Sequence, residues 1–274
     1  MQRTCAAIHD LSCYAKSSLT VVLPTLEVLG IETCPLPTAL LSSQTDGFSS
    51  YYFKDTTADI EKILEVWKTL GLGFDAIYSG FLGSSVQVAL IKAFIQDQRQ
   101  TQAPLTLIDP VLGDDGKLYG PITQAHVSAM QDLVTYADVI TPNTTEAALL
   151  LGRPYQHKFD EACALNWAKE LGVKTGANVV ITSVPLQNQS VVACYAEGQT
   201  FMVPYKKLQA SYPGCGDLFA SLLLGFLLNK DSFQKSVDQA VAYTTMAIER
   251  TLAGGYETRH GVAVSLILAD LAKR

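Results

Sequence analysis

A chain of 274 residues that is 48% hydrophobic and 17% charged has ample apolar material for a core, which excludes intrinsic disorder and sets a single α/β domain over 1–274 as the expectation. Its formal net charge of −6 supplies no basic face for nucleic acid or anionic lipid. The six cysteines form no C-x-x-C pair, so neither a zinc site nor a disulfide framework is indicated, and a reducing, cytoplasmic setting is expected.

In chain order, Met1 to Asp10 has too short an apolar run for a secretory leader and reads as a first strand, Thr4 to Ile8, running into His9-Asp10-Leu11-Ser12. A helix-sized segment separates Asp10 from a second strand, Thr33 to Leu41, which leads into Ser42-Ser43-Gln44-Thr45-Asp46. Helical spacing over Thr57 to Leu70 is followed by a strand at Ala76 to Ser79, the turn Ser79-Gly80-Phe81-Leu82-Gly83-Ser84 and a helix from Ser84 to Gln98. The alternation continues with strands at Leu105 to Asp109, Val139 to Thr141 and Val179 to Thr182, and with helices at Gln124 to Tyr136 and Phe159 to Leu171. Val191 to Tyr195 and Thr200 to Val203 flank Glu197-Gly198 and predict an antiparallel hairpin. The last third is helical, over Leu218 to Leu228, Ser232 to Arg250 and Ala263 to Lys273. Leu218 to Leu228 is the nearest approach to a membrane span and is too short for one.

This order predicts a largely parallel sheet covered by helices on both faces, with ligands bound beyond the carboxyl ends of the strands. The polar motifs fall there. Pro213-Gly214-Cys215-Gly216-Asp217 is a glycine-bracketed turn opening into an apolar helix, a pattern that converges backbone N–H groups and positive potential on an anion. Asp217, in the first helical turn, is placed to be kept ionised by the helix dipole and to take a proton from an alcohol; as a bare pattern it is equally a helix cap. Thr141-Pro142-Asn143-Thr144-Thr145-Glu146 has the spacing of a capping box, and Asp114-Asp115-Gly116 that of a tight turn. His9 reads equally as a packed ring at the end of its strand or as a substrate contact, Lys16 as a solvated side chain ahead of a phosphate contact, and His126, His157 and His260 lack metal-site spacing.

Taken together, Gly214-x-Gly216-Asp217, Asp109-Pro110-Val111-Leu112-Gly113-Asp114, Thr141-Pro142-Asn143-Thr144-Thr145-Glu146 and Val180-Ile181-Thr182-Ser183 resemble the ordered signatures of ribokinase-like kinases. Within that superfamily, Leu29-Gly30 through Gly47-Phe48 and Ser79 to Ser84 resemble the vitamin B6 kinases, and no separate β-structured lid is inserted early in the chain. The resemblance implies a three-layer α/β/α fold with short lid loops, a homodimer, ATP as co-substrate and Mg2+ as cofactor. It implies Asp217 as catalytic base, with Gly214, Cys215 and Gly216 forming the anion cradle. Asp10, Ser12, Thr45, Asp46 and Phe81 would bind the vitamin with Asp217. Asp109, Asp114, Thr141, Asn143, Glu146, Thr182 and Ser183 would bind ATP with Gly214 and Gly216. Asp109 and Glu146 would hold Mg2+, directly or through water, and a lid over Asp115 to Pro121 would cross the phosphates. Cys215 departs from the usual Thr and Phe81 from the usual Tyr. His9-Asp10-Leu11-Ser12 is closer to the first loop of hydroxymethylpyrimidine kinases, which stay open as the alternative; a nucleotide-binding regulator without turnover is the alternative of another class.

Overall fold

The computed structural model describes residues 2–187, 189–206, 208 and 210–273, and sorts into two compact units, Met1–Tyr78 with Leu208–Arg274, and Ser79–Lys207. In the first unit, β1 (Arg3–Ser12) is closed off on both faces, with Cys5, Ala6, Ala7 and Ile8 wholly inaccessible, as the continuous apolar run of a parallel strand requires. It pairs in parallel with β2 (Ile31–Leu41), and α1 (Leu19–Val28) makes the crossover. The antiparallel β3 (Phe53–Asp55), then α2 (Thr57–Thr69) and β4 (Ala76–Ser79) complete the strand order β4-β1-β2-β3.

His9-Asp10-Leu11-Ser12 does not follow the first strand, as the sequence suggested, but lies within it. The ladder slips between His9 and Leu11 and then resumes with Leu11 opposite Leu40 and Ser12 opposite Leu41, because β2 is long enough to continue the pairing. Such a slip re-aims side chains locally.

The second unit contains α3 (Ser85–Thr101), β5 (Leu105–Ile108), the small hairpin β6 (Gly113–Asp114) and β7 (Lys117–Leu118), α4 (Gln124–Leu133), β8 (Val139–Ile140), α5 (Thr144–Leu151) and α6 (Glu161–Thr175). Then come β9 (Asn178–Pro185), β10 (Ser190–Ala196) and β11 (Gln199–Tyr205). Their order is β11-β10-β9-β8-β5, parallel across β5, β8 and β9 and antiparallel at the β10–β11 margin. The expected hairpin is present, and Glu197 and Gly198 turn it with φ of 51° and 80°, as a two-residue turn between right-twisted strands demands.

The chain then returns to the first unit as α7 (Cys215–Leu228), α8 (Phe233–Ala253) and α9 (Ser265–Leu271). The α7 helix begins three residues before the predicted Leu218, because Gly214 takes a left-handed φ of 82° and starts the helix at Cys215. From Leu218 to Phe226 every residue is buried, which marks α7 as a core helix. The last helix is shorter than predicted and starts at Ser265, since the expected first residue, Ala263, donates its N–H to the Thr251 hydroxyl at 3.0 Å. Among the described residues no helix is long and apolar enough to cross a membrane.

Candidate active site

In the first unit, the start of α7 faces the end of β1 and the loop that precedes α1. The Asp217 carboxylate is 14% exposed, and its Oδ2 accepts the Ser18 N–H at 2.8 Å. The Asp217 carbonyl accepts the Ser221 and Tyr78 hydroxyls at 2.6 and 3.4 Å. Asp10, also buried, accepts the Ser18 hydroxyl on Oδ1 and the Ser12 hydroxyl on Oδ2. The structure thus joins Asp10, Ser12 and Asp217 in one hydrogen-bonded group through Ser18.

The dipole at the start of α7 does not set the charge of Asp217. Burial, reinforced by the nearby Asp10 carboxylate, outweighs the Ser18 hydrogen bond and pushes Asp217 up to about 6. Burial likewise raises Asp10, against the pull of its two serine donors. His9 is completely buried with Nδ1 3.8 Å from Asp217 Oδ1, and burial lowers it to about 3, so it is a neutral ring packed edge-on against Tyr78. Burial pushes the Cys215 thiol up to about 12, which leaves it protonated and unreactive at neutral pH. Its amide and that of Gly216 sit in the first turn, where backbone N–H groups lack intrahelical partners.

Gly214 is required by space as well as by its backbone. A Cβ there would lie 2.8 Å from the Lys16 carbonyl oxygen and 3.0 Å from Val21 Cγ2. The same carbonyl oxygen would be 2.2 Å from a Cβ on Gly261. The 13–18 loop is therefore seated against the turn that carries the base. Thr45 and Asp46 are exposed on a loop braced by Gln44, whose Nε2 donates to the carbonyls of Asp46 and Arg259 and whose Oε1 accepts the Asp46 N–H at 2.6 Å. Tyr14 sits edge-on to both Phe48 and His260 and shares a 3.1 Å hydrogen bond with His260 Nε2.

In the second unit, Asp109 at the end of β5 accepts the Thr141 hydroxyl at 3.1 Å. Asn143 and Glu146 make the capping box of α5: Asn143 Oδ1 accepts the N–H groups of Thr145 and Glu146 at 2.9 and 3.0 Å, and Glu146 Oε2 accepts the Asn143 N–H at 2.8 Å. Glu146 Oε1 takes the Leu112 N–H at 3.1 Å, Asn143 Nδ2 donates to the Gly113 carbonyl at 2.9 Å, and Thr145 accepts the Gly116 N–H at 2.9 Å. The cap and the base of the β6–β7 hairpin are thus one structure. Asp115 and Gly116, with φ of 47° and 75°, form its turn, and Asp114 is exposed beside it. Thr182 lies in β9, bridged to Asn143, and Ser183 follows, exposed and left-handed at φ 57°. Phe81 is half-buried in the turn after β4.

Burial and the adjacent Asp109 and Asp114 carboxylates hold Glu146 well above the usual carboxylate range. Such crowded oxygen donors are relieved by a hard divalent cation, so the residues fit Mg2+. Among the described residues no group of three or more His, Cys, Asp or Glu could hold a metal by itself. The rest of such an ion's shell would come from water and nucleotide oxygens, as is usual for Mg2+.

Comparison with known proteins gives a consistent result. The profile of a family described as phosphomethylpyrimidine kinase matches residues 19–262. The pyridoxal kinase of Arabidopsis thaliana is 29% identical over 242 residues, covering 83% of this chain and 75% of that protein. A Bacteroides thetaiotaomicron protein classed as a phosphomethylpyrimidine kinase and crystallised with pyridoxal is 39% identical, with a TM-score of 0.93 over 99% of this chain and 96% of the other. The pyridoxal kinase of Lactobacillus plantarum is 33% identical, with a TM-score of 0.91 over 99% and 97%.

Proposed function

The chain belongs to the phosphomethylpyrimidine kinase family, alongside pyridoxal kinases, and from that premise we propose that it transfers the γ-phosphoryl group of ATP to the 5′-hydroxymethyl group of a B6 vitamer. The observation that carries this reading is Asp217: a carboxylate at the mouth of a helix, pinned through Oδ2 by the Ser18 amide, with Oδ1 left to meet an alcohol. The vitamer's hydroxyl oxygen attacks the γ-phosphorus, the bond to the ADP oxygen breaks, and the hydroxyl proton passes to Asp217. Because this reaction needs positioning and charge stabilisation more than covalent chemistry, the amides of Cys215 and Gly216 at the start of α7 complete the acceptor side. The Cys215 side chain has no part in it.

On the donor side, Asp109, Thr141, Asn143 and Glu146 organise the nucleotide, with Thr182 and Ser183 contributing hydroxyls and Asp114 at the foot of the lid hairpin. Asp109 would hold Mg2+ there, with Glu146, both of whose oxygens are engaged, acting through water, and the ion when bound would neutralise phosphate charge. Thr45, Asp46, Phe81, Asp10 and Ser12 contact the vitamin ring and its substituents. One kinase domain, a homodimer and a cytoplasmic setting belong to the same reading. A second acceptor, a hydroxymethylpyrimidine, is favoured by the family profile and by Asp10-Leu11-Ser12. Side-by-side kinetics decide between them: a larger kcat/KM for the pyrimidine than for every B6 vitamer would replace the first reading.

Two expectations follow for the chemistry. A base must be deprotonated to act, so kcat/KM for the vitamer falls as pH drops through about 6, the midpoint set by burial of Asp217. A limb near pH 4, the ordinary carboxylate value, would show that burial does not raise Asp217 in the working enzyme. The Asp109→Asn variant takes one charge from the cation site, and the free Mg2+ needed for half-maximal kcat at saturating ATP should rise by about 10- to 100-fold. An unchanged Mg2+ requirement would place the metal elsewhere.

A further inference from the structure

Ser18 has φ 50° and ψ −130°, a backbone conformation that belongs to glycine. It is 7% exposed. Ala15, three residues earlier, is also left-handed at φ 66°. Non-glycine residues persist in such conformations only where their surroundings over-determine them, and they cluster at functional sites. Here the determinants are two carboxylates: the Ser18 N–H donates to Asp217 Oδ2 at 2.8 Å, while its hydroxyl donates to Asp10 Oδ1. Glycine would keep the turn but lose the hydroxyl, whereas a relaxed serine would turn one donor away.

We propose that Ser18 is a positioning residue for phosphoryl transfer, a two-donor bridge that aims the Asp217 carboxylate and favours the ionised form of Asp10 beside it. The inference rests on Asp217 being the base. Asp217 meets Asp10 and His9 from β1, Tyr78 from β4 through its own carbonyl, Ser18 from the loop before α1, and Cys215 from its own helix. Of these, Asp10 is the one partner whose ionisation changes the field at Asp217, because His9 is neutral and Cys215 protonated. What Ser18 does to Asp10 is therefore felt at Asp217.

The test compares Ser18→Gly and Ser18→Ala with the parent, using pyridoxal at saturating ATP. Both variants should lose about 10- to 100-fold in kcat, the scale of a misplaced reacting group, with the KM for ATP unchanged. In Ser18→Gly the Tm should hold or rise, because the backbone strain is relieved, whereas loss of a merely structural serine would lower it. Ser18→Ala keeps the N–H and removes the hydroxyl, so Asp10 holds its proton to higher pH, repels Asp217 less, and the acid limb of kcat moves to lower pH. Parent-like kcat and pH profile in both variants would overturn the proposal, as would a loss of kcat that follows a loss of Tm in both. Asp217→Asn run alongside separates the two ideas. Full turnover in that variant defeats the base assignment, while its inactivity with parent-like Ser18 variants defeats the bridge alone.

Discussion

Asp217→Asn is expected to lower kcat by about 10²- to 10⁴-fold, the range a positioned general base supplies, while leaving the KM for ATP unchanged. The amide oxygen of Asn can still accept the Ser18 N–H, so the loss would reflect proton transfer and not the shape of the turn. The same variant should be more stable than the parent at neutral pH. In the folded protein the Asp217 proton leaves at about 6 instead of the ordinary 3.8. Above about 6 the folded state therefore carries a buried charge that the unfolded chain does not penalise, and below 3.8 it carries none. Asn never carries it. The gain approaches about 3 kcal/mol at most, from a shift of roughly two pH units, and vanishes in acid. Thermal unfolding at pH 8 and at pH 4 reads both limits. A variant that is dead and no more stable at pH 8 would mean that burial does not strain this carboxylate.

Gly214→Ala is expected to damage activity and fold together. At φ +82° an alanine is strained by roughly 1–3 kcal/mol whatever its surroundings. The added methyl would also press on the Lys16 carbonyl oxygen, 2.8 Å away, which Gly261 approaches closely as well. Overpacking of this kind adds about 1–3 kcal/mol, so Tm should fall by roughly 5–20 °C. Since the cradle amides move with the turn, kcat should fall by about 100-fold or more. Gly30 provides the control: it has φ +80° but nothing within 4 Å of a Cβ, so Gly30→Ala should show only the backbone share and keep its kcat. Equal losses in the two variants would show that crowding at Gly214 is immaterial.

The strands and most helices were legible because burial imposes periodicity, and a run such as Cys5 to Ile8 has few other uses. The boundaries at the site were not. Sequence placed Asp10 after β1, but the length of β2, which continues the ladder past a slip at His9, is a property of the partner strand. The residues of the acceptor group and of the α5 cap were visible through their motifs, since each motif is local. Ser18 was invisible: a serine inside Lys16-Ser17-Ser18-Leu19 carries no mark of a glycine-like backbone, which arises only when α7 brings Asp217 to it. The raised proton affinity of Asp217 was not legible for a related reason. A helix dipole can be read from its position in the chain, whereas burial and the proximity of Asp10 depend on contacts across about 200 residues.

The clasp of Gly214 and Gly261 on the Lys16 carbonyl makes the acceptor loop and the segment bearing the base a keyed joint. Residues 13–18 transplanted alone from a relative would meet a lock cut for a different key. A chimera that retains turnover needs the loop, the turn at 213–217 and the stretch around Gly261 exchanged as a set.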